Sequence, residues 1–235
     1  MKSLAFLVSL GLAASCPGQS GDEKIITELV TICLGGGVPA YYYGDGKKVT
    51  KLEVSAQGIG APVAYQGPAM LALYDNPDDL APRAPDAPVP APDLRASLAA
   101  DEDRILLVFS HVEGAKPAVR ALGISTGKMK AGDYRIFNLS SRNAYVIMNE
   151  EKAIVQPGKP ADISSAAWQA GTLDMEVRFG LREEEGMRQV YSSVWGHRSS
   201  RRTFLFILDR ADEFNPFEIR RYHDVPQVRA RDAGG

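Results

Sequence analysis

The stretch TLDMEVRF, residues 172–179, alternates apolar and polar side chains without interruption. Because successive side chains of a β-strand point to opposite faces, this period of two places one face in a core and the other in water. The apolar face carries Leu173, Met175, Val177 and Phe179. This is the clearest strand in the chain, and it indicates a protein built from β-sheets.

Four further stretches extend this interpretation. The runs ILLVF (105–109) and FLFIL (204–208) are apolar on both faces and too short for typical helices, so they predict central strands covered on both sides. Residues 50–54 form an amphipathic strand entered through a turn at 44–46. Residues 22–34 fit a helical stripe but are rich in β-branched side chains, and we therefore predict a strand there.

The remaining strands are short and separated by Gly, Pro and Asn. We place them at Tyr134–Leu139, Ala144–Met148, Ala153–Val155, Val190–Trp195 and Phe217–Tyr222. The second and third form a hairpin about residues 149–152, and one short helix is expected near Ile163–Ala170. This spacing predicts an all-β fold of antiparallel β-sandwiches with little helix.

The composition changes abruptly over residues 75–103, which hold six prolines, seven alanines and eight acidic residues against two arginines. Such a segment favours an extended, solvated chain, and we predict a linker at 76–103. It would separate a small N-terminal β unit (22–75) from a larger C-terminal sandwich (104–225). The alternative is a long surface loop within a single domain. Residues 226–235 are predicted to be a disordered tail.

Residues 1–15 have the form of a bacterial export signal, with one lysine ahead of an apolar run at 4–14 that is too short for a membrane span. Cys16 follows, where a lipoprotein would carry its lipid. Ala13 and Pro17 depart from the lipoprotein pattern, so lipidation and ordinary cleavage both remain open. We expect the mature protein to be periplasmic, outer-membrane-associated or extracellular, with no transmembrane helix.

The composition is that of an ordinary folded chain, with 45% hydrophobic and 24% charged residues and a net charge of −2. Nothing in this balance favours nucleic acid or an anionic membrane surface as a partner, so contact with a membrane would depend on a lipid at Cys16. The two cysteines, Cys16 and Cys33, exclude a disulfide framework. Cys33 is predicted to be a small buried hydrophobe.

Candidate catalytic motifs are weak. Residues 123–127, GISTG, match a nucleophile elbow, but an elbow lies between a parallel strand and a helix, whereas this motif leads toward another strand. We predict a turn there. The three histidines, His111, His197 and His223, lack local ligand spacing and would have to be gathered from distant strands. We therefore predict no catalytic residues, no metal site and no cofactor.

Arginines near the C-terminus offer a candidate binding site. Arg198, Arg202 and Arg221 could hold an anionic glycan or a phosphate, although arginines beside acidic residues usually form an ordinary charged face. Trp195 and Tyr191 share one face of a strand and could stack on a carbohydrate, with core packing as the alternative.

Three motifs carry a resemblance to a known group of proteins. They are AGDYRIFNLS (131–140), VQPG (155–158) and the stretch from VWG to RTF (194–204). Over residues 40–224 or so, the chain resembles uncharacterised exported β-proteins of verrucomicrobial-type bacteria. The resemblance implies an exported β-rich protein. Because that family has no assigned activity, it assigns no catalytic residue.

Two classes of function follow. We favour an exported cell-envelope protein that acts as a non-enzymatic β-sandwich binding or assembly module, with a glycan or another envelope protein as its partner. The alternative is a secreted hydrolase or metal-dependent enzyme that uses His111, His197 or His223.

Overall fold

A computed structural model describes six stretches of the chain, residues 24–44, 48–84, 86–111, 116–168, 173–183 and 186–225. Within them the regular structure consists of β-strands and two single 3₁₀ turns, Pro77–Leu80 and Ser165–Ala167. The prediction of an all-β chain with little helix is confirmed. The predicted signal, Cys16 and the predicted tail lie outside the described residues.

The first eight strands form one sandwich. They are β1 (Lys24–Gly35), β2 (Tyr41–Gly44), β3 (Val49–Leu52), β4 (Val63–Pro68), β5 (Met70–Leu73), β6 (Leu94–Ser97), β7 (Arg104–His111) and β8 (Ala118–Gly123). One sheet has the order β4-β1-β7-β8. The facing layer consists of the hairpins β2-β3 and β5-β6, which are joined by mutual backbone hydrogen bonds of Tyr42 and Tyr74 at 2.7 and 2.9 Å.

The next eight strands form a second sandwich. They are β9 (Tyr134–Asn138), β10 (Ala144–Met148), β11 (Glu151–Val155), β12 (Pro160–Ile163), β13 (Asp174–Glu183), β14 (Gly186–Gly196), β15 (Arg202–Asp209) and β16 (Phe217–Asp224). Their sheets have the orders β12-β9-β15-β16 and β11-β10-β13-β14. Gly132, at a φ of +93°, makes the tight turn into β9 that a side chain would strain.

The two sandwiches share one topology. In each, the first and seventh strands pair in parallel at the centre of a sheet, as β1 with β7 and β9 with β15. In each, antiparallel strands flank that pair, and two hairpins form the facing layer. The described part of the chain is therefore a tandem pair of eight-stranded sandwiches with the same strand order.

Three apolar layers hold the strands together. One lies inside each sandwich, and the third lies between the sheets that contain the parallel pairs. This middle layer is formed chiefly by Val30, Ile32, Leu106 and Val108 of the first sandwich and by Phe137, Phe204 and Phe206 of the second. Because these sheets are covered on both faces, the run 105–109 and residues 204–207 are buried, as their uniform apolar character predicted, and Leu208 is partly buried.

The predicted domain division is wrong at its main boundary. β7 pairs with β1 along eight residues, so residues 104–123 belong to the first sandwich and not to the C-terminal one. The predicted linker at 76–103 contains β6, and Ala96 and Leu98 lie in the core of the first sandwich. The average composition of the segment concealed this short strand, because proline, alanine and acidic residues far outnumber its few large apolar side chains.

Local predictions agree more closely with the structure. The ambiguous segment 22–34 is a strand from Lys24, and the hairpin β10-β11 turns at residues 149–150. The helix expected near Ile163–Ala170 is the 3₁₀ turn Ser165–Ala167, in which the Ala166 amide donates to the side chain of Ser164 at 3.3 Å. The turn predicted at 44–46 extends outside the described residues.

Candidate anion-binding site

Arg202 lies between the two sandwiches, not on a binding surface. Its side chain is 0% exposed. The guanidinium donates through Nε to Asp224 Oδ2 at 3.1 Å and makes a closer contact with the same oxygen through Nη2. Nη1 donates to the backbone oxygen of Ile124 at 2.8 Å. The prediction that Arg202 contributes to an anion site is therefore wrong, since all of its polar capacity is used internally.

Arg104 completes this buried network. It begins β7 as Arg202 begins β15, and its Nη1 donates to the same Asp224 oxygen at 3.3 Å. One carboxylate thus joins the parallel strands of both sandwiches. Glu28, 4.0 Å from Arg104 Nε, adds a second negative charge next to the first arginine.

Arg201 and Arg221 lie on one face of the sheet β12-β9-β15-β16, and Arg202 lies on the other face. The side chain of Arg221 is exposed on β16, an edge strand, and its Cζ atom lies 4.8 Å from the ring centre of Trp195 on β14, the edge strand of the facing sheet. Arg201 immediately precedes β15 and is half-buried. We call Arg201, Arg221 and Trp195 the arginine edge. Arg198 is exposed in the turn that precedes β15. Its backbone oxygen accepts a hydrogen bond from the Arg201 amide at 3.4 Å.

Two of the three histidines lie near this edge. His197 Nδ1 shares a hydrogen bond of 3.0 Å with Tyr134 Oη, and His223 Nδ1 shares one of 3.1 Å with Thr203 Oγ1. Tyr134 and Thr203 are direct neighbours in the parallel pair β9·β15. The structure therefore brings His197 and His223 to adjacent positions around one pair of hydroxyl groups.

His111 lies elsewhere, at the end of β7 in the first sandwich, where it pairs with Gly35. No group of three His, Cys, Asp or Glu side chains placed to hold a metal ion occurs in the described stretches. The alternative of a metal site that gathers all three histidines is therefore wrong, because β7 and the β14–β16 edge belong to different sandwiches.

The charges of the arginine edge act on the neighbouring groups. Burial, reinforced by the positive charges of Arg201 and Arg221, lowers the pKa of His223 to about 4. Burial and Arg201 also lower the pKa of His197. Burial raises the pKa of Tyr134 despite the opposing effect of both arginines. The histidines are therefore neutral at pH 7, and the positive charge of the site resides on the guanidinium groups.

The arginine edge is not neutralised internally. Within the described ranges, neither Arg201 nor Arg221 forms a salt bridge with a carboxylate, whereas Arg104, Arg135, Arg202 and Arg220 do. Both guanidinium groups act on His223, so they add positive potential to the same side of the second sandwich. The arrangement is suited to binding a negatively charged ligand.

A pH dependence of stability follows from His223. Between about pH 6.5 and 4, the unfolded chain protonates this histidine while the folded protein does not, so stability falls as the pH falls through that window. We expect His223→Gln to flatten the dependence measured by urea unfolding at pH 7, 6, 5 and 4. An equal slope in the variant and the original protein would contradict the assignment.

The remaining sequence motifs have structural roles. Ser125 of the GISTG motif is buried, its Oγ accepts from the Asp103 amide at 3.0 Å, and no helix follows, so the predicted turn is confirmed. Cys33 is buried, and burial raises the pKa of its thiol. Trp195 packs in the core and donates to Tyr191 Oη at 3.1 Å, which confirms the core alternative for this pair.

The chain was compared with known proteins. No protein-family model matches it, and a search of curated proteins found no significant match. The described residues include no helix long and apolar enough to cross a membrane. The functional argument therefore depends on the geometry of the site.

Sequence reasoning selected Arg198, Arg202 and Arg221 from the C-terminal arginines, and it did not select Arg201, Tyr134 or Thr203. The alternation of side chains along β15 could have shown that Arg201 and Arg202 lie on opposite faces of the sheet. Phe204 and Phe206 share the parity of Arg202 and face the middle layer, whereas Leu205 and Ile207 share the parity of Arg201. To assign each arginine to its surroundings, one must also know which face of β15 is buried between the sandwiches. The sequence does not indicate this, because both faces of the strand are equally apolar.

Proposed function

We propose that this protein is an exported, non-enzymatic binding module of the cell envelope that holds an anionic ligand at the arginine edge. The observation that carries the proposal is the pair Arg201 and Arg221, which have no carboxylate partner among the described residues. The export part of the proposal is supported by the N-terminal segment of the sequence.

The ligand class follows from guanidinium chemistry. An arginine side chain offers paired N–H donors that match the two oxygens of a carboxylate or phosphate group. Arg221 is additionally oriented by its position over Trp195, which lowers the entropy lost when it binds a ligand. A glycan that carries carboxylate or phosphate groups supplies this chemistry in a cell envelope.

The geometry gives little support to covalent catalysis at this site. Thr203, the hydroxyl partner of His223, is buried, and the partner of His197 is the buried Tyr134. A nucleophile must reach its substrate and be activated by an adjacent base, and neither hydroxyl is accessible. We therefore retain binding as the function.

Charge removal tests the proposal. We expect Arg201→Gln and Arg221→Gln each to weaken binding of polygalacturonate or of a phosphorylated polysaccharide by about tenfold at low salt, since each removes a charge-assisted contact. Calorimetric titration with both polymers distinguishes carboxylate from phosphate ligands. Arg120→Gln, which removes an exposed arginine from β8 of the other sandwich, is the matched control and should bind as the original protein does.

Two results would contradict the proposal. The first is equal loss of affinity in Arg120→Gln, which would indicate attraction to net charge alone, and the second is the absence of binding to either polymer. The export part is tested separately by intact-mass analysis of the protein from its native cell. We expect the mass to lack residues 1–15, with an added acyl mass if Cys16 is lipidated.

A further inference from the structure

A cleft of about 480 Å³ opens on the first sandwich, far along the chain from the arginine edge. It is lined by β1 and β4 of one sheet and by β2 and β3 of the facing layer. β4 and β3 are the outer strands of their layers, so the cleft lies at an open side of the sandwich. Its volume lies within the range of about 300–1,000 Å³ that is typical of small-molecule sites.

Thr27 is the feature of this cleft that the fold does not explain. The residue is 5% exposed, and its Oγ1 atom is buried without a hydrogen-bond partner among the described residues. Thr31, on the same strand and face, is equally buried, but its Oγ1 donates to the Glu53 backbone oxygen at 2.6 Å. Because a buried, unpaired hydroxyl destabilises a protein, the contrast indicates that Thr27 has a partner outside the chain.

The rest of the lining is polar and contains aromatic rings. The rings of Tyr43 and Tyr65 meet edge to face with centres 5.4 Å apart. Burial raises the pKa of Tyr65 to about 12, and its protonated Oη donates to the Pro68 backbone oxygen at 2.7 Å. Thr50, which pairs with Tyr43 across the hairpin β2-β3, adds a half-buried hydroxyl that can both donate and accept.

The charges of the lining select the class of ligand. Asp103 borders the cleft, which disfavours an anion, and Lys48 borders it as well, which disfavours a simple cation. The polar groups disfavour a purely apolar molecule. A ligand with many hydroxyl groups and an apolar ring face matches the hydroxyls of Thr27 and Thr50, a neighbouring carboxylate and the tyrosine rings together.

We propose that this cleft binds a neutral saccharide, with Thr27 Oγ1 and Thr50 Oγ1 as hydrogen-bonding partners of the sugar hydroxyls. The site differs from the arginine edge in position, in charge and in ligand. Its test is therefore independent of the proposed anion site.

The test uses the full chain and three neutral disaccharides, cellobiose, maltose and N,N′-diacetylchitobiose. We expect at least one of them to shift the amide NMR signals of Thr27 and Thr50 saturably below about 20 mM, and we expect Thr27→Val and Thr50→Val each to weaken that binding at least about fivefold. In the absence of sugar, Thr27→Val should leave the thermal midpoint unchanged or raise it, because it replaces an unpaired hydroxyl by a methyl group.

Thr31→Val is the matched control. It removes a hydroxyl that has a partner, so we expect a lower thermal midpoint and unchanged sugar affinity. The proposal is overturned if none of the three sugars binds, if binding survives both cleft substitutions, or if Thr27→Val destabilises the sugar-free protein as Thr31→Val does. The last result would indicate that the Thr27 hydroxyl serves the fold and not a ligand.

Discussion

Replacing Asp224 by alanine is expected to lower the free energy of unfolding by about 3–5 kcal/mol, because it leaves the buried Arg202 without its counter-charge. Asp224 Oδ2 accepts from both Arg104 and Arg202, and the second of these is completely buried. No rearrangement at the surface can rehydrate a guanidinium held between two sheets. Urea unfolding followed by circular dichroism measures the loss.

An exposed pair provides the control for this prediction. Glu53 lies 2.9 Å from Lys51, and both side chains are more than half exposed. Glu53→Ala should therefore change stability by less than about 1 kcal/mol. Adding Arg202→Met to Asp224→Ala should restore part of the lost stability, because it removes the unpaired charge. A loss below about 1 kcal/mol for Asp224→Ala would show that the network contributes little.

Replacing Phe206 by alanine is expected to destabilise the protein by a similar amount, about 3–5 kcal/mol. Its side chain is 0% exposed in the middle layer, where its ring centre lies 5.4 Å from that of Phe137 and 5.8 Å from that of Tyr222. The cavity that remains would be lined by two sheets, neither of which can move inward without disrupting its own core. Urea unfolding of the variant again measures the effect.

Phe214 serves as the comparison, since it is the same residue type at 87% exposure. Phe214→Ala should alter stability by no more than about 0.5 kcal/mol. If the middle layer couples the two sandwiches, unfolding of the original protein will be a single transition in tryptophan fluorescence and in circular dichroism. Both tryptophans, Trp168 and Trp195, lie in the second sandwich, so non-coincident curves would show that the halves unfold separately.

The strands themselves were accessible from the sequence because their signals are local. The alternation from Leu173 to Phe179 predicted β13, where Met175, Val177 and Phe179 are buried. Leu173 is an exception, being largely exposed just before the strand begins. β6 was missed because its small buried residue Ala96 contributes little to any hydrophobic pattern.

The candidate site was less accessible, since it depends on which strands are neighbours. Arg221 was predicted as an anion-binding residue on its type alone, and Arg202 was predicted on the same ground. Nothing in the chain near Arg202 indicates Asp224, its partner 22 positions further on. Thr27 gives no signal either, because Thr27 and Thr31 differ only in what faces them across the sandwich.

The sequence by itself determined the all-β class, the central strands, the main hairpin and the structural character of GISTG, because periodicity and turn chemistry act over a few residues. The tertiary structure alone decided that β7 returns to β1, that two sandwiches repeat one topology and that Arg201 rather than Arg202 faces outward. These features depend on parallel pairing and on a layer buried between sheets. Such contacts join residues far apart in the chain, and no local pattern encodes them.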